Sequence, residues 1–562
     1  MKSGKFKTIL GHSIAFIVSA IALTLIQAHF GFSGLAWVSM VPFIWACGVK
    51  KNSKELYLAA YVVSVVYWLG NIYWLGFVTV LGWLILCFYL GLLWPVLVFA
   101  FRFARSKRIP YFLAAPILIV AAEHLQGLFL DGFFWRYLAH SQYKNIVLIQ
   151  IADIFGAGGV SFLIAMVNGF IADVIISKKN RILNFGNIVG GGIVLSLTAG
   201  AIIYGQWRIN QTAEHVEEGP LVASIQSNVP QSVKESYQAS DEILSELLKY
   251  SYESSSSSPA LVVWPETMVQ GVLDERLLGL LSPSTSHRIF DSEIKEYSSQ
   301  GSYVLVGATG GKPEVSDDGS IKLVEKYNAA YLYTPDGRQA AKYYKKIHLV
   351  PFGEVIPFGK SAPWLHRFLM LFTPYDYDYT LNYGEEYTVF EMVGGKEKDR
   401  VYKFGVMICY EDAVPKIAKN FTVGRGGQKG VDWLLNISND GWFVRFKEDK
   451  VLASTELAEH TAVCVFRAVE NRVAVVRSVN AGISCLIDSV GRIRDGFFAG
   501  SLPEKAMSRQ GVGGWFADKV PIDNRRTFFS RYGQWLDFSC TGGLILFIIA
   551  GVVSSKSQRK VK

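Results

Sequence analysis

The chain has 562 residues, of which 51% are hydrophobic and 14% aromatic, and its formal net charge is +9 at pH 7. It is longer than a typical single domain and more apolar than an ordinary soluble protein. Most basic residues before position 210 form short clusters between apolar segments, so we attribute the positive charge to membrane topology. The composition therefore predicts a membrane protein, and it gives no support for a nucleic-acid partner.

The apolar segments predict eight membrane-spanning helices, because about 20 apolar residues are enough to span the hydrocarbon core of a bilayer. Residues 56–101 contain no charged side chain and are long enough for two spans, with a turn near 70–82. The remaining predicted spans cover residues 8–28, 32–49, 109–130, 149–176, 182–204 and 538–555. We therefore expect an α-helical membrane bundle with seven spans before a long polar region and one span after it.

The basic clusters occupy alternate loops, as expected of short cytoplasmic loops under the positive-inside rule. The clusters and the basic tail lie at positions 2–7, 50–54, 102–108, 178–181 and 556–562. This pattern predicts that both termini are cytoplasmic and that the polar region between spans seven and eight lies outside the cytoplasm.

Between residues 219 and 514 the apolar pattern changes to short β-rich runs that end in turn residues. The runs include "LVASIQ" at 221, "LVVWPE" at 261, "YVLVGA" at 303, "FGVMICYE" at 404, "DWLLNISND" at 432 and "RVAVVRS" at 472. Helix-like segments lie between them at 240–251 and 456–470, and the serine tract 254–258 is typical of a flexible loop. Because the runs are apolar on both faces, we expect an α/β sandwich.

The predicted domain organisation has three parts. Residues 1–217 form the seven-span part, residues 218–515 the extracytoplasmic α/β domain, and residues 516–562 the eighth span with a cytoplasmic tail. The six cysteines show no pairing pattern, and the sequence contains neither CxxC nor HExxH. The sequence therefore predicts neither a disulfide framework nor a metal site.

Three strand ends carry residues that together are sufficient for thioester chemistry. Cys409 ends the run "FGVMIC", Glu266 ends "VVWPE", and Lys346 lies in "YYKKIHLVPFGE". A thiol has a pKa of about 8.5 and needs assistance to attack at neutral pH. A carboxylate can accept its proton, and an ammonium can stabilise the thiolate and the oxyanion that follows. These residues therefore indicate acyl transfer through a thioester.

At these residues the chain resembles the nitrilase superfamily, whose members carry Glu, Lys and Cys in this order. The resemblance extends over residues 221–500 through "WPE", "KIHLVPFGE", "CYED", "ISNDGWF" and "RVAVVRSVNAGISCLIDSVGRI". With the seven-plus-one spans and the "LAHSQYKN" segment at 138, the whole chain is similar to the apolipoprotein N-acyltransferase family. The resemblance implies a nitrilase-like αββα sandwich attached to the membrane bundle.

By this resemblance Glu266 is the general base, Cys409 the nucleophile and Lys346 the residue that stabilises the oxyanion. We choose Lys346 over Lys345 because the family's lysine stands two residues before the histidine of "HLVPFGE", here His348.

The resemblance also implies supporting residues. Glu354 matches an acid near the lysine, Tyr410 and Glu411 match the residues beside the nucleophile, and Trp442 matches an aromatic near the acyl-chain path. The backbone N–H of Tyr410 is a candidate second oxyanion donor.

The chain departs from the family pattern at two places near the first strand end. Ser227-Asn228 stands where the family has Gly-Asn, and Glu235 stands where the family often has Trp.

The implied activity is an N-acyltransferase of the bacterial inner membrane, with its catalytic domain on the periplasmic side. Its implied partners are a phospholipid acyl donor, a lipoprotein acceptor with an N-terminal diacylglyceryl-cysteine, and the bilayer itself. Forming an amide from a thioester is downhill, so neither a cofactor nor a metal is expected.

Two alternatives stay open from the sequence. A membrane-anchored amidase acting on small amides would use the same three residues. Acidic residues within predicted spans, Glu123, Asp153 and Asp173, would suit a transporter with an outer domain, although all three lie near span ends, where their cost is small.

Overall fold

The computed structural model describes residues 2–48, 54–128, 132–177, 185–234, 239–356, 358–359, 361–371, 379–394, 399–424, 426, 428–447 and 450–560. The chain divides into two compact units. The helical unit comprises Met1–Gly76, Val80–Gln211 and Tyr532–Lys562, and the α/β unit comprises Phe77–Thr79 and Thr212–Arg531.

The helical unit is built from apolar helices that precede residue 212 and one long helix at the end of the chain. The first ten helices are α1 (Lys2–Leu25), α2 (Val41–Gly48), α3 (Lys54–Asn71), α4 (Val80–Gly91), α5 (Leu93–Ser106), α6 (Tyr111–Gln126), α7 (Ile146–Ile149), α8 (Ala152–Phe155), α9 (Ala157–Ser177) and α10 (Phe185–Asn210). The long helix at the end is Trp535–Lys560. Helix α6 packs against α9 and against this last helix. The backbones of α6 and α9 approach so closely that a Cβ on Gly169 would lie 2.2 Å from the carbonyl oxygen of Tyr111.

Helices lie in all the ranges where the sequence predicts spans, although not all of them are long enough to be counted as spans. Within the described residues, four helical segments are long and apolar enough to cross a membrane. They are Val80–Ser106, Ala157–Ser177, Phe185–His215 and Trp535–Ser554. Shorter apolar helices lie at Ser13–Leu25, Ser33–Gly48, Tyr111–Gln126 and Ile146–Phe155. The predicted helical bundle is thus present, and its count of eight spans stays a prediction.

The α/β unit alternates strands and helices along most of its length. Its helices are α11 (Thr212–His215), α12 (Gln231–Lys234), α13 (Ser240–Ser254), α14 (Glu275–Leu280), α15 (Ser286–Ser298), α16 (Pro363–Met370), α17 (Pro415–Thr422), α18 (Glu456–Asn471) and α19 (Phe528–Tyr532), which runs one residue past the unit's boundary. Helix α20 is then Trp535–Lys560 of the helical unit.

Seventeen strands are described in the α/β unit. They are β1 (Val216–Gln226), β2 (Leu261–Val263), β3 (Val269–Val272), β4 (Tyr303–Val315), β5 (Ile321–Thr334), β6 (Arg338–Gln339), β7 (Tyr344–Lys345), β8 (Val389–Val393), β9 (Val401–Ile408), β10 (Trp433–Asn439), β11 (Arg445–Lys447), β12 (Lys450–Leu452), β13 (Ala474–Asn480), β14 (Cys485–Ile487), β15 (Ile493–Arg494), β16 (Ala499–Gly500) and β17 (Gly514–Asp523).

Two mixed sheets face each other, as predicted for a nitrilase-like sandwich. The first sheet has the order β16-β17-β1-β2-β4-β5-β6, and the second has the order β15-β14-β13-β10-β9-β8. Strands β1, β2 and β4 are parallel in the first, and β9, β10 and β13 are parallel in the second. Strand β1 contacts β13 across the interface, where the Ser478 hydroxyl donates to the Ile225 carbonyl at 2.6 Å.

Helices cover the outer faces of both sheets, which explains why the central strands are apolar on both sides. Helices α13 and α15 pack on the first sheet, while α17 and α18 flank the second. All residues of β10 and β13 are buried. Parallel strands that are buried on both faces lose the alternation of polar and apolar residues. The predicted α/β sandwich is confirmed, with helices in the two predicted segments.

The serine tract 254–258 is ordered for most of its length, so the prediction of a flexible loop was wrong. Ser254 ends α13, and Ser255–Ser257 continue it as one 3-10 turn. Each hydroxyl from Ser254 to Ser257 donates to a carbonyl three or four residues earlier. Such local bonds allow serine to extend a helix end.

The α/β unit continues past residue 515, where the sequence placed a domain boundary. Strand β17 pairs with β1 as far as Asp523, opposite Val216. The boundary position therefore lies inside a paired strand, and the membrane assignment of the segments on either side stays a prediction.

We predict that Gly307→Ala displaces the loop that carries Glu266. A Cβ at Gly307 would lie 2.6 Å from Thr267 N, 2.7 Å from Pro265 O and 2.8 Å from the Cα of Glu266. These are backbone atoms, so the clash cannot be relieved by rotating a side chain. Glu266 is the predicted general base, so the catalytic rate should fall at least about tenfold, since misplacement of a catalytic group by about 1 Å is costly.

The matched control is Gly279→Ala, at an exposed position of helix α14, where a Cβ meets no heavy atom within 4 Å. It should leave the rate unchanged. Equal rates for the two variants, measured alongside their melting temperatures, would contradict the close approach at Gly307.

Candidate active site

The three predicted catalytic residues follow three strand ends of the sandwich. Glu266 lies three residues after β2, Lys346 directly follows β7, and Cys409 directly follows β9. The side chains of all three are buried. The topology thus brings together residues that are distant in sequence, on strands from both sheets.

Lys346 is the centre of a buried ion cluster. Its Nζ lies 2.8 Å from Oε2 and 2.9 Å from Oε1 of Glu354, and 3.3 Å from Oε1 of Glu266. Burial by itself would lower the pKa of Lys346, but Glu354 and then Glu266 raise it, and the net pKa is raised. The side chain is therefore an ammonium at neutral pH.

Lys345 points to a different environment. Its Nζ lies 4.0 Å from the ring centroid of Tyr327 and 5.4 Å from that of Tyr343, in cation–π contacts. Lys345 also pairs with Ala329 in the sheet as the last residue of β7. The two adjacent lysines thus differ sharply: one joins the acidic cluster and the other lies against aromatic rings.

Asn328 joins the two glutamates and was missed by the sequence reasoning. Its Nδ2 donates to Oε1 of Glu266 and to Oε1 of Glu354, both at 2.7 Å. Asn328 lies on β5, just before a run of buried apolar residues. A polar amide side chain at the start of an apolar strand was the feature of the sequence that could have indicated a role for Asn328.

The second carboxylate oxygen of Glu266 is fixed from the other sheet. Its Oε2 accepts the backbone N–H of Asn439, the last residue of β10, at 2.9 Å. The Asn439 side chain in turn accepts from Asn480 at 2.7 Å, at the end of the neighbouring strand β13. Glu266 is thus held by hydrogen bonds on both oxygens, which fixes the direction in which it can accept a proton.

Cys409 lies at a sharp turn between β9 and a one-turn 3-10 helix. Its φ is 54°, in the left-handed region that non-glycine residues seldom adopt. Such strained positions are frequent at functional sites. Asn436 fixes the turn by donating to the Cys409 carbonyl at 3.1 Å. We name the 3-10 helix Cys409–Ala413 the nucleophile turn.

The surroundings of Cys409 favour the protonated form of its thiol. Burial raises the pKa of the Cys409 thiol, Glu266 raises it further, and Lys346 opposes both. A nucleophilic role at this position therefore requires proton removal during the reaction, and Glu266 is the carboxylate whose charge acts most strongly on the thiol.

Glu411 supports the lysine segment by accepting backbone N–H groups. Its Oε1 accepts from Ile347 at 2.7 Å and from His348 at 3.0 Å, and its Oε2 accepts from Ile408 at 2.8 Å. The Tyr344 hydroxyl donates to both oxygens. Burial raises the pKa of Glu411 to about 7 against these donors. Glu411 thus links the residues beside Lys346 to the nucleophile turn.

The other two supporting residues lie at the edge of this arrangement. Tyr410 is half-buried, and its ring centroid lies 5.8 Å from that of His348. Trp442 is half-buried in the 3-10 turn Asp440–Phe443. Within the described residues, no hydrogen bond or ring contact joins Trp442 to the Glu-Lys-Cys group, so its role stays a prediction.

Of the two positions that depart from the family pattern, the structure describes the first. Ser227 is fully buried, and its hydroxyl lies 3.1 Å from Asn480 Oδ1 and from Met268 Sδ. It therefore anchors its loop to the end of β13. Glu235 lies outside the described residues.

The fold and this site are of the type found in the carbon-nitrogen hydrolase family, to which the nitrilases belong. Residues 221–497 match the family model described as carbon-nitrogen hydrolase. Residues 19–170 match the model described as apolipoprotein N-acyltransferase N-terminal domain. With the two matches in chain order, the chain belongs to the apolipoprotein N-acyltransferase family, and it is an acyltransferase.

Individual relatives agree with this assignment over nearly the full chain. An apolipoprotein N-acyltransferase of Geobacter metallireducens is 28% identical, covering 97% of this chain and 95% of the relative. One of Chlorobaculum tepidum is 24% identical, covering 92% and 91%. Among solved structures, an amidase from Nesterenkonia sp. aligns with a TM-score of 0.34 and 14% identity, covering 55% of this chain and 92% of the amidase.

We predict that Lys346→Ala and Lys345→Ala have very different effects. Removal of a charged oxyanion donor costs about 10²–10³-fold in rate. Lys346→Ala also leaves Glu266 and Glu354 without their shared cation, so its loss should be at least this large. Lys345→Ala removes a cation–π contact at the edge of the site and should stay within about threefold. Steady-state rates that are equal, or that fall in the reverse order, would show that the wrong lysine was chosen.

Proposed function

We propose that this enzyme transfers an acyl chain from a phospholipid to the α-amine of an N-terminal diacylglyceryl-cysteine on a lipoprotein, through a thioester on Cys409. The observation that carries the proposal is the Cys409 thiol, held at a strained turn where both Glu266 and Lys346 act on its charge. The relatives' shared name, apolipoprotein N-acyltransferase, supports the substrate class.

In the first half-reaction Cys409 attacks the ester carbonyl of the phospholipid. The S–H bond breaks, Glu266 accepts the proton, and sulfur bonds to the carbonyl carbon. The resulting oxyanion lies beside the Lys346 ammonium, which stabilises the developing negative charge. When the oxyanion collapses, the carbon–oxygen bond to glycerol breaks, and the leaving oxygen takes the proton from Glu266. The products are a thioester and a lysophospholipid.

In the second half-reaction the acceptor's amine attacks the thioester carbonyl. Glu266 accepts a proton from the nitrogen, Lys346 again stabilises the oxyanion, and the carbon–sulfur bond breaks. The sulfur leaves as a thiolate and recovers its proton from Glu266, which restores the resting thiol. Amide formation from a thioester is downhill, so the enzyme's own residues are sufficient for both steps.

The supporting residues keep this arrangement rigid. Asn328 and Glu354 hold Glu266 and Lys346 together, and Glu411 fixes the backbone on either side of Lys346 and Cys409. Preorganised charge of this kind needs no rearrangement when the oxyanion forms. We assign Tyr410 the second oxyanion donor through its backbone N–H, and Trp442 a place along the acyl-chain path.

The substrates explain why the enzyme has apolar helices. Both donor and acceptor are lipid-anchored, so the site has to meet them at the surface of a bilayer. We propose eight membrane spans in the predicted ranges, both termini in the cytoplasm, and the α/β unit on the periplasmic side of the inner membrane. The four long apolar helices and the alternating basic clusters support this topology.

A transfer assay tests the function against the amidase alternative. Purified full-length enzyme in phospholipid vesicles should convert a synthetic diacylglyceryl lipopeptide to its N-acylated form and release an equal amount of lysophospholipid. Cys409→Ser should slow both products together, because a hydroxyl is much harder to ionise than a thiol. Ammonia release from small amides, without peptide acylation, would instead identify an amidase.

Reporter fusions test the topology. Fusions after residue 208, just before the main part of the α/β unit, and after residue 524, near its end, should report an extracytoplasmic position. Fusions after residues 51, 107, 179 and 556 should report the cytoplasm. A cytoplasmic signal at 524 would contradict the seven-plus-one arrangement and would remove the site's access to lipoproteins.

A further inference from the structure

A second buried group of charges lies behind the nucleophile turn. His460 Nε2 lies 2.8 Å from Oδ1 of Asp412, and Arg477 Nη1 lies 2.6 Å from Oδ2 of the same residue. His460 Nδ1 lies 3.1 Å from Oε1 of Glu456 and 3.4 Å from Oδ1 of Asp440. All five side chains are at least 98% buried. The sequence reasoning identified none of them.

This charge cluster joins four separate elements of the α/β unit. Asp412 belongs to the nucleophile turn, and Asp440 begins the Asp440–Phe443 turn. Glu456 and His460 lie one helical turn apart on α18, and Arg477 lies on β13. The residue before Asp440, Asn439, donates its backbone N–H to Glu266. The cluster therefore connects the nucleophile's turn to the residue that orients the general base.

The geometry makes the ring of His460 a cation. Nε2 faces Oδ1 of Asp412 and Nδ1 faces Oδ1 of Asp440, and both aspartates also lie beside the Arg477 guanidinium. A carboxylate paired in this way accepts a hydrogen bond but has no proton to give. Both nitrogens therefore carry a proton, as in an imidazolium. Burial and then Arg477 lower the pKa of His460, but Asp412 and Asp440 together outweigh them, and the net pKa lies well above the usual value.

Charge balance then assigns the proton of Glu456. Three carboxyl groups, on Asp412, Asp440 and Glu456, face two cations, His460 and Arg477. An unbalanced charge in a buried site is expensive, so one carboxyl group should be neutral. Burial and then Asp440 raise the pKa of Glu456 to about 7. A neutral Glu456 can still accept from His460 through its carbonyl oxygen.

A metal ion is the competing interpretation of the same group. One ligand atom each from Asp440, Glu456 and His460 lies within 4.8 Å of the others. However, Nη2 of Arg477 lies 3.8 Å from Asp440 Oδ2, and a guanidinium so close would repel a divalent cation. The two cations already balance the aspartates, and we therefore interpret the group as an ion-pair cluster.

We propose that His460 is a positioning residue: its imidazolium ring fastens the nucleophile turn, through Asp412, to the Asp440–Phe443 turn, through Asp440. The proposal rests on the acyl-transfer function proposed above. The ring holds the Cys409 thiol and the Glu266 carboxylate in a fixed relation although it touches neither. Its charge also acts on the thiol, since His460, like Lys346, lowers the pKa of Cys409. The thiols of Cys464 and Cys485 are also titratable groups that act on the charge of Arg477.

The test compares three variants of the full-length protein in detergent. His460→Gln removes the imidazolium charge, Glu456→Gln imitates the neutral carboxyl group, and Val465→Ala is a control for packing alone, fully buried on the same helix. The first readout is the pH dependence of Cys409 alkylation by iodoacetamide, followed by peptide mass spectrometry. This readout needs no acyl donor, so it is independent of the proposed function. The second readout is the transfer rate, separated into kcat and KM for phospholipid.

For His460→Gln, the alkylation midpoint should rise by roughly one pH unit, as expected for loss of a nearby opposite charge. Its kcat should fall at least about tenfold with KM nearly unchanged, because positioning acts on the chemical step. Val465→Ala should lower the melting temperature without moving the midpoint. A midpoint in His460→Gln equal to that of Val465→Ala would reduce His460 to a packing role and overturn the proposal.

Glu456→Gln decides the charge balance even if His460→Gln fails to fold. Folded enzyme holds the Glu456 proton up to about pH 7, whereas the unfolded chain loses it near its ordinary value of 4.5, so this group makes stability fall as pH rises between these values. Glu456→Gln should remove that decline and keep the transfer rate within about threefold. Loss of folding in Glu456→Gln, or a fall in its transfer rate of tenfold or more, would overturn the proposal. So would one equivalent of bound metal in the wild-type protein that is absent from Glu456→Gln.

Discussion

The ammonium of Lys346, held between Glu266 and Glu354, is the interaction on which the rest of the site depends. A buried cation must be paired, and removal of one partner leaves the others uncompensated. The pairing therefore holds Glu266, Lys346 and Glu354 in place although they lie on different segments of the chain. Asn328 donates hydrogen bonds to both acids. It also supplies positive charge where an oxyanion would form, without any movement during the reaction. The stability of the fold and the proposed mechanism thus both require these side chains to be paired.

Residues at the strand ends of the second sheet also interact with the buried acids of the site. Cys409 follows β9 and Asn439 ends β10. Asn439 donates its backbone N–H to Glu266, and the charge of Glu266 raises the pKa of the Cys409 thiol. Glu411 accepts N–H groups on both sides of this junction, from Ile347 and Ile408. The two sheets therefore meet at the site through hydrogen bonds as well as apolar contacts. We expect these hydrogen bonds and apolar contacts together to keep the strained turn at Cys409 in one conformation.

The sequence was sufficient for features that depend on local pattern. Short runs that are apolar on both faces predicted the α/β sandwich. The three catalytic candidates each follow a strand end, where the topology brings side chains together. It was not sufficient for partners chosen by long-range packing: Asn328 lies 62 residues from Glu266, and His460 lies 48 from Asp412. The prediction for the serine tract was wrong because of local interactions. Its composition indicates a loop, but its hydroxyls donate to carbonyls three residues earlier and extend the end of a helix.

The most direct test of the account is the intact mass of the purified enzyme incubated with phospholipid in the absence of acceptor. Acylation needs only the donor, so the mass should rise by one acyl chain, the adduct should map to Cys409, and neutral hydroxylamine should remove it as it does a thioester. Cys464→Ala and Cys485→Ala, which change buried thiols outside the Glu-Lys-Cys group, should still form the adduct. An adduct that persists in Cys409→Ala, or that maps to another cysteine, would contradict the assignment of Cys409 as the nucleophile.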